Sequence, residues 1–382
     1  MMKNSKFSSL AVSIVYLLSM VSSACNPEDS EKSEKAGITA DQVSTGFETV
    51  YADSTYRLTG IAVSAGQRIF VNFPNWAAPY RYAVIESLPD GTKKPYPDEQ
   101  WNSFKSGEEG SNKFVCVQAV FADDKDCLWV VDAAGIGLGK VYRNSNKIVK
   151  INLKNNQVER IYRFDPSVAG ADSYLNDIRV DNAAGYAYIT SSSNGAIIIL
   201  NIKTGASRSV LTGSSYTMSD KGYAFRINGR EWVNEKGPVK INADGIALSP
   251  DMNWLYFKPL TDRKLYRIRT DILRDFQTPL ATVNKSVEEL GTFVTTDGME
   301  FDDKGNLYLG DLESSRLMRI DKGLKMSEVV QDSTKLIWPD SYSFRDGYLY
   351  ISCSQIQYGP FFNGGKDMPK LPYRIIRIKV PL

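Results

Sequence analysis

The chain has 382 residues, of which 42% are hydrophobic and 24% are charged, and this composition is typical of a globular protein with a large core rather than of a disordered chain. The 46 lysines and arginines nearly balance the 44 acidic residues, and no basic cluster stands out, so the composition gives no support for nucleic-acid binding. The absence of histidine excludes Ser-His-Asp catalysis and histidine-based metal sites, which leaves carboxylates, Lys, Tyr, Ser, Cys or an oxygen-held metal for any chemistry.

The first 24 residues have the pattern of a secretory signal peptide. Lys3 and Lys6 precede an apolar run over residues 10–20, which is too short to span a bilayer, and small residues follow it. These small residues lead directly into Cys25, an arrangement that resembles the bacterial lipobox, where the cysteine is lipidated and becomes the new N-terminus. Ser22 stands where that motif usually has leucine, so plain signal cleavage remains the alternative.

A polar segment separates Cys25 from the rest of the chain. Residues 26–35 contain no large apolar side chain and cannot pack into a core, so we predict a flexible tether over residues 25–44. The leader and the tether together predict a protein of the cell envelope, lipid-anchored to the outer membrane on its periplasmic or outer side, or secreted. The lipid anchor is the one membrane contact that we expect.

From residue 58 onward, one hairpin pattern recurs six times. In each copy an alternating apolar strand starts at a small or acidic residue, passes through a turn rich in Gly or Asp, and returns as an apolar and aromatic strand. The six hairpins lie over residues 59–71, 117–130, 176–189, 244–257, 297–309 and 340–351. Most copies continue into a third strand and often a fourth, and four strands per repeat predict an all-β fold, a six-bladed β-propeller over residues 45–382.

Strands from the two ends of the chain are predicted to close this propeller. The sixth repeat supplies a third strand over residues 374–380 but no fourth, whereas residues 47–51 form an additional strand pattern before the first repeat. Because an unpaired edge strand is prone to association, we expect the N-terminal strand to cover the open edge of the sixth blade.

Three cysteines remain after Cys25, namely Cys116, Cys127 and Cys353. One disulfide with a free thiol is one interpretation, but the apolar strand patterns around them favour three buried, unpaired cysteines. No pair has the CxxC spacing of a metal or redox site.

The innermost strand of each propeller blade lines the central channel, so the residues that begin these strands should meet at one mouth of the channel. In this sequence they are Thr59, Val117, Asn176, Asp244, Asp297 and Asp340. The residues that end the second strands should line the same mouth, and two of them are the acidic residues Asp132 and Asp311. We therefore predict a ligand site formed by Thr59, Asp132, Asn176, Asp244, Asp297, Asp311 and Asp340.

Crowded carboxylates raise one another's pKa unless a cation or hydrogen-bond donors compensate them. This favours a bound divalent cation such as Ca²⁺, with Asn176 and Asp244 as ligands. The alternative interpretation is that these aspartates only form turns, because the carboxylate of an Asp-Gly pair at a strand start often accepts hydrogen bonds from nearby backbone N–H groups.

Two loops carry aromatic and arginine side chains, at residues 73–76 and 214–239. We predict that they frame the mouth or pack onto the blade tops.

Five segments of these strands carry a family resemblance. They read FVNFPNW at residues 70–76, LWVVD at 128–132, LNDI at 175–178, DGIALSP at 244–250 and WPDS at 338–341. In this order they resemble the major royal jelly protein/Yellow family over about residues 45–382. The resemblance implies a secreted six-bladed propeller, in a family whose insect members bind small biogenic amines in the central channel or are implicated in dopachrome conversion.

A more distant resemblance is to the senescence-marker/gluconolactonase family, whose metal is held by Glu, Asn and Asp at the starts of inner strands. Asn176 and Asp244 match the last two ligands, whereas Thr59 stands where that family has the glutamate. Losing an anionic ligand weakens a divalent site, which argues against lactonase activity. Ser191, where Yellow-like sequences often have Asp, is a second departure.

Two functions follow from these residues. The leading hypothesis is a monomeric ligand-binding propeller whose channel mouth captures a small polar or aromatic molecule, with polar contacts from Asn176, Asp244, Asp297 and Asp340. The alternative is a metal-dependent lactonase or isomerase, in which a cation at Asn176 and Asp244 polarises a carbonyl group and another carboxylate, Asp297 or Asp340, moves a proton. A protein-interaction scaffold has no positive signal in the sequence.

Overall fold

The structure is a computed structural model that describes residues 46–380. The predicted signal peptide, Cys25 and the tether lie outside the described residues, so export and lipid attachment stay predictions. Within residues 46–380, no helix has both the length and the apolar character that a membrane-crossing helix needs.

Six four-stranded antiparallel sheets form the blades, and blades 1 to 3 follow the first strand, β1 (Glu48–Asp53). Blade 1 consists of β2 (Gly60–Val63), β3 (Ile69–Asn72), β4 (Val84–Ser87) and β5 (Lys93–Pro95). Blade 2 consists of β6 (Val117–Ala122), β7 (Cys127–Asp132), β8 (Lys147–Asn152) and β9 (Gln157–Arg163). Blade 3 consists of β10 (Leu175–Asp181), β11 (Tyr186–Ser191), β12 (Ala196–Asn201) and β13 (Ser207–Val210).

Two short hairpins separate blade 3 from the second half of the propeller. They are formed by β14 (Arg226–Ile227), β15 (Arg230–Glu231), β16 (Val233–Asn234) and β17 (Gly237–Pro238). Blade 4 consists of β18 (Ala243–Leu248), β19 (Trp254–Pro259), β20 (Lys264–Arg269) and β21 (Glu288–Thr292). Blade 5 consists of β22 (Met299–Phe301), β23 (Leu307–Asp311), β24 (Arg316–Ile320) and β25 (Met326–Gln331). Blade 6 consists of β26 (Pro339–Arg345), β27 (Tyr348–Cys353), β28 (Tyr373–Lys379) and β1.

Helices are short and confined to the connections between strands. The α-helices are α1 (Pro166–Ala169), α2 (Thr270–Arg274) and α3 (Leu280–Lys285). Single 3-10 turns occur at Ile136–Leu138, Tyr142–Asn144, Ile356–Tyr358 and Pro360–Phe362.

The blades close into a ring, which confirms the predicted six-bladed propeller. Each inner strand packs against the inner strand of the next blade, and β26 packs back against β2. Six apolar clusters bury the faces between neighbouring blades; between blades 3 and 4, for example, Tyr188 and Ile199 pack with Ile246 and Phe257. Because the middle strands of a blade are covered on both faces, they are apolar along almost their whole length.

Strands from both ends of the described chain complete blade 6, as predicted. β1 pairs antiparallel with β28, with Thr49 opposite Ile376 and Asp53 opposite Tyr373. This pairing covers the edge that β28 would otherwise expose, and it closes the ring through hydrogen bonds between distant parts of the sequence.

The three cysteines of the described residues are buried and unpaired, as the strand patterns predict. Burial raises the pKa of the Cys116 and Cys353 thiols well above the usual value, so these thiols stay protonated and unreactive.

Candidate functional site

Irregular pairing at the starts of the inner strands positions the polar side chains of the channel mouth. The register between the first and second strands shifts at the start of blades 2, 3, 4 and 6. A bulge of this kind re-aims a side chain away from the regular alternation of the strand. The shifted segments contain Gln118, Asn176, Asp244 and Asp340.

Two glycines allow the inner strands to approach closely at this mouth. A Cβ atom at Gly245 would lie 2.5 Å from the backbone oxygen of Asp297, and one at Gly298 would lie 2.3 Å from that of Asp340. The backbone N–H of Gly298 donates to the Asp340 oxygen at 2.7 Å. The Asp-Gly pairs of blades 4 and 5 therefore combine a polar side chain with a residue that lets the neighbouring blade come near.

A cavity of about 890 Å³ lies at this mouth. Its polar lining includes Gln118, Tyr174, Asn176, Asp244 and Asp297. Its apolar and aromatic lining includes Trp76, Val239, Leu260, Ile356, Phe361 and Phe362. This size and this mixture of walls suit a small organic ligand.

Three of the seven predicted site residues, Asn176, Asp244 and Asp297, come together in the cavity. Asn176 Nδ2 donates to Asp244 Oδ2 at 2.7 Å, and Trp338 Nε1 donates to Asp297 Oδ2 at 2.6 Å. All three side chains are more than nine-tenths buried. The floor of the cavity is thus an amide and two carboxyl groups supplied by blades 3, 4 and 5.

Burial and mutual repulsion weaken the acidity of these carboxyl groups. Burial and the nearby Asp297 raise the pKa of Asp244 well above its usual range. Burial also raises the pKa of Asp297 to about 6, although hydrogen bonds from Asp244 and Trp338 act in the opposite direction. The two carboxyl groups therefore hold a proton under conditions in which isolated aspartates are ionised.

A buried lysine stands behind this pair. Lys258, in the second strand of blade 4, donates to the backbone oxygens of Pro259 at 3.0 Å and Asp262 at 2.7 Å. Burial lowers the pKa of Lys258 to about 8, while Asp262, Asp244 and Asp297 act against that shift. Its charge offsets part of the negative charge of the carboxyl pair.

Further along the inner strands, an ion-pair network crosses the channel. Arg179 Nη1 contacts Asp177 Oδ2 at 2.8 Å, and Nη2 contacts Glu300 Oε2 at 3.3 Å. Arg179 and Asp177 lie in the inner strand of blade 3, whereas Glu300 lies in that of blade 5, so the guanidinium spans the axis. The Phe121 ring of blade 2 lies 5.3 Å from the guanidinium carbon.

Aromatic side chains of the loops pack over the blade tops and also frame the mouth. The sequence analysis had offered these two arrangements as alternatives. The Trp232 ring lies 4.9 Å from Trp338 and 4.0 Å from Phe362, and Phe225 lies 5.6 Å from Trp232, measured between ring centroids. This cluster holds Trp338, whose indole N–H donates to Asp297. The loop over residues 214–239 therefore supports the floor as well as the rim.

Four other predicted site residues do not line the cavity. Asp132 accepts from the backbone N–H groups of Val115, Cys116 and Ala134 and pairs with Lys147 at 2.7 Å. Asp311 pairs with Arg316 at 2.6 Å. Both carboxylates are already paired within their own blades, so the structure gives no support for either residue as a ligand contact.

Thr59 and Asp340 also lie outside the lining. The Thr59 hydroxyl donates to the backbone oxygen of Gln118 at 2.9 Å and accepts from Asn72 Nδ2 at 2.8 Å, so it joins blades 1 and 2. Asp340 is buried next to the carboxyl pair, and burial together with the charge of Asp297 raises its pKa well above the usual range. Its oxygen Oδ2 has no hydrogen-bond partner among the described residues.

The donor set does not fit the predicted divalent cation. Among the described residues there is no group of three or more acidic or cysteine side chains arranged to hold a metal ion. Asn176 and Asp244 are bonded to each other, and Thr59, at the glutamate position, directs its hydroxyl into the blade 1–2 contact. Ca²⁺ takes six to eight oxygen ligands, so most of them would have to come from water or backbone oxygens rather than from the predicted side chains.

Residues of the site that the sequence analysis missed are Gln118, Tyr174 and the indole of Trp338. Trp76 Nε1 donates to the Tyr174 hydroxyl at 2.7 Å, and that hydroxyl donates to Gln118 Oε1 at 3.0 Å. The inner strand of blade 2 starts at Val117, as predicted, and the register shift between Val117 and Ala119 places Gln118 at the mouth. A polar residue inside the apolar segment VQAVF is the signal that could have identified it.

Comparison with known proteins assigns the chain to a family. The model of the major royal jelly protein family matches residues 115–382. The chain belongs to this family. Protein yellow from Drosophila pseudoobscura pseudoobscura is 24% identical over 228 residues, which is 55% of this chain and 39% of that protein. Protein yellow from Drosophila melanogaster is 25% identical over 228 residues, with 55% and 40% coverage, so the match spans about two fifths of these relatives.

Solved structures with the same fold include proteins of other activities. A gluconolactonase from Xanthomonas campestris has a TM-score of 0.52 at 12% identity and covers 88% of this royal jelly family chain and 89% of its own. The calcium-binding protein regucalcin from Agrobacterium tumefaciens has a TM-score of 0.52 at 11% identity, with 87% and 96% coverage. At such low identity the likeness shows the shared propeller fold alone.

Proposed function

We propose that this member of the royal jelly family binds a small organic cation in the cavity at the channel mouth. The ammonium group lies at Asp244 and Asp297, and a flat or apolar body packs against the aromatic wall. The observation that carries the proposal is the pair of buried carboxyl groups that share one floor of an organic-sized cavity.

The balance of buried charge favours a cationic ligand. Around the channel, five buried or nearly buried carboxyl groups accompany two buried basic side chains. The carboxyl groups are Asp177, Asp244, Asp297, Asp340 and Glu300, and the basic groups are Arg179 and Lys258. In the free protein, protons bound to the aspartates with raised pKa values reduce this excess of negative charge. A bound ammonium group can take the place of such a proton, and it also makes charge-assisted hydrogen bonds.

The walls suit the rest of such a ligand. Trp76, Phe361 and Phe362 offer aromatic faces to the cavity, and Leu260 and Ile356 add aliphatic surface. Aromatic faces attract cations and bury flat apolar groups, so both ends of an arylalkylamine find a matching surface. A neutral sugar lactone would leave the carboxyl pair without a counter-charge.

Calorimetric titration of the protein with phenethylamine tests the proposal, with 2-phenylethanol as the neutral isostere. We expect binding of the amine alone, and about 10- to 100-fold weaker binding for Asp297→Asn, because a charge-assisted hydrogen bond contributes about 1.5–3 kcal/mol. Asp303→Asn is the matched control, since Asp303 is an exposed carboxylate of the same blade and its loss changes the net charge equally. Equal binding of the alcohol, or no binding of phenethylamine and related amines, would contradict the proposal.

A divalent cation at Asn176 and Asp244 is tested in the same instrument with CaCl₂. The fold shared with a gluconolactonase and a calcium-binding regucalcin motivates this second titration, although the donor set described above is incomplete. Tight binding of Ca²⁺ that is lost in Asp244→Asn would favour the metal-dependent alternative over the amine.

A further inference from the structure

We infer that three loops around the channel mouth form a membrane-binding surface, in which apolar side chains enter the headgroup layer of a bilayer and lysines contact anionic lipids. These rim loops are residues 133–146, 211–242 and 354–372. The surface adds a second membrane contact to the predicted lipid at Cys25, and it does not depend on which ligand the cavity binds.

Exposed apolar side chains are concentrated in the rim loops. Within residues 46–380, seven large apolar side chains are well exposed to solvent. Five of them lie in the rim loops and are 39–50% exposed, namely Leu138, Val233, Phe361, Met368 and Leu371. Single exposed apolar residues are ordinary on a protein surface, whereas their concentration in one region marks an interaction site.

The direction of the strands places all three rim loops at the same end of the propeller. Two of them connect the second and third strands of a blade, β7 to β8 and β27 to β28, and the third leads from β13 into the inner strand β18. Because the strands of a blade are antiparallel, these connections lie at the end where the inner strands begin. The two remaining exposed side chains, Leu280 in α3 and Leu324 in the β24–β25 turn, lie at the opposite end.

Contacts between the rim loops join their apolar side chains into one surface. A Cβ atom at Gly137, next to Leu138, would lie 3.9 Å from Phe361 Cζ. Strand β16, which begins with Val233, packs against the 3-10 turn Pro360–Phe362. Leu138 and Phe361 also line the cavity, so the apolar surface surrounds its opening.

The rim loops carry an excess of positive charge. They contain nine lysines and arginines but four acidic residues, although the whole chain is nearly balanced. Lys140 and Arg143 pair with acidic residues of other loops, and Asp367 pairs with Arg57. The other cationic side chains of the rim loops form no ion pair within the described part of the chain; they are Lys221, Arg226, Arg230, Lys236, Lys240, Lys366 and Lys370. Such a cluster attracts anionic headgroups, and it becomes visible only when three separate segments come together.

A bilayer matches this surface better than a second protein does. Stable protein interfaces bury a continuous patch of about 800 Å² on each partner, and lysine is depleted in them. Here the apolar side chains surround the opening of a cavity of about 890 Å³, and six of the nine cationic residues are lysines. Apolar side chains flanked by lysines are typical of proteins that bind at the membrane interface.

Co-sedimentation with lipid vesicles tests the surface. A chain produced from residue 26 onward carries no lipid, so any binding to vesicles comes from the protein itself. We expect it to bind POPC vesicles that contain POPG. Affinity for vesicles of POPC alone should be at least about fivefold lower, because each lysine near an anionic surface contributes a factor of about five.

The apolar part of the surface is tested with the double variant Met368→Ser and Leu371→Ser. Neither residue lines the cavity, and both are about half exposed. We expect the affinity for POPG-containing vesicles to fall by about tenfold, because two apolar side chains no longer enter the headgroup layer. The matched control is Leu280→Ser with Leu324→Ser, which removes two exposed leucines from the opposite end and should leave vesicle binding unchanged.

The charged part is tested with Lys366→Gln and Lys370→Gln together. This double variant should bind POPG-containing vesicles at least about tenfold more weakly and should bind POPC vesicles as the wild type does. The thermal unfolding midpoint of each variant verifies that it is folded.

Three outcomes would overturn the membrane-binding surface. They are no binding of the wild-type chain to either vesicle type, equal weakening in the Leu280 and Leu324 control, and self-association of the free chain that Met368→Ser and Leu371→Ser abolish in the absence of vesicle binding. The last result, measured by light scattering, would make the surface an interface between copies of the chain. Vesicle binding without phenethylamine binding would support the surface and contradict only the proposed amine.

Discussion

At the scale of single residues, the carboxylates near the channel mouth differ in how many hydrogen-bond donors and cations surround them. This difference distinguishes carboxylates that stabilise the fold from those that can contact a ligand. Asp132 is surrounded by three backbone N–H groups and by Lys147, so its charge is fully compensated. Asp297 accepts from the indole of Trp338 and shares a hydrogen bond with the carboxyl group of Asp244, so no cationic side chain of the described residues bonds to it directly. The first arrangement stabilises the fold, whereas the second keeps hydrogen-bonding capacity for a ligand.

Removal of Lys147 tests the structural role of Asp132. Both side chains are at most 1% exposed, and Lys147→Met leaves the Asp132 charge buried with only its backbone donors. We expect the free energy of unfolding in urea to fall by about 3–5 kcal/mol, the cost of breaking a buried pair from one side. Lys150→Met is the control on the same strand, because its partner Glu159 is partly exposed, and we expect a loss of about 1 kcal/mol or less. Similar losses in both variants would show that Lys147 does not neutralise Asp132.

Asp297 should make the stability of the free protein fall as pH rises. Its pKa is raised in the folded state to about 6, from an ordinary value of 3.8, so the folded protein binds the proton more tightly than the unfolded chain does. The stabilising contribution is complete below about pH 4 and is lost as the pH rises through about 6. In Asp297→Asn the free energy of unfolding should decline less over this interval.

The affinity for an amine should change with pH in the opposite direction. Ionised carboxylates bind the ammonium group, so we expect tighter binding at about pH 7 than at about pH 5 in the wild-type protein, measured by calorimetry in buffers of equal ionic strength. Asp244 and Lys258 face the same group and contribute to the profile. A pH-independent affinity would show that the carboxyl pair does not hold the ligand charge.

At the scale of elements, a single strand completes the propeller. β1 is the outer strand of blade 6, and it buries Tyr51 while its neighbour Phe47 packs into the cluster between blades 5 and 6. Lys93 of blade 1 pairs with Asp53 of β1 at 2.6 Å, so the strand also contacts the next blade. The strand therefore joins the beginning and the end of the ring.

Deletion of β1 should destabilise the whole molecule. A variant that starts at residue 54 loses the burial of two aromatic side chains and exposes the edge of β28, so we expect a loss of roughly 3–6 kcal/mol in the free energy of unfolding, together with self-association. A variant that starts at residue 46 keeps the strand and serves as the control. Urea unfolding and light scattering measure the two effects, and equal behaviour of both variants would contradict a closing role for β1.

At the scale of the whole molecule, the ring brings together residues that are distant in sequence. Asn176, Asp244 and Asp297 come from three consecutive blades, and the aromatic wall comes from the loops between the second and third strands of blades 1 and 6. The Arg179 network lies further along the inner strands and joins those of blades 3 and 5 through buried ion pairs. Closure of the ring thus fixes the cavity more rigidly than any one loop could.

Much of this architecture is predictable from local patterns. The six hairpins, the closing strand and the buried cysteines are confirmed, because alternation of apolar residues and turn chemistry act within short segments. The meeting of Asn176, Asp244 and Asp297 is also predictable, since equivalent positions of repeated blades must converge at the axis. The signal peptide, the lipidation of Cys25 and the tether stay predictions.

The sequence by itself determined the repeat and the order of the blades, and it named Asn176, Asp244 and Asp297 among seven candidate site residues. Tertiary structure alone decided that Asp132 and Asp311 are neutralised by Lys147 and Arg316, and that a register shift turns Gln118 toward the mouth. The physical reason is the distance along the chain over which each property is set. Hairpins depend on residues that are neighbours in sequence. The charge state and free hydrogen-bonding capacity of a buried group depend instead on every donor that packing brings within a few ångströms.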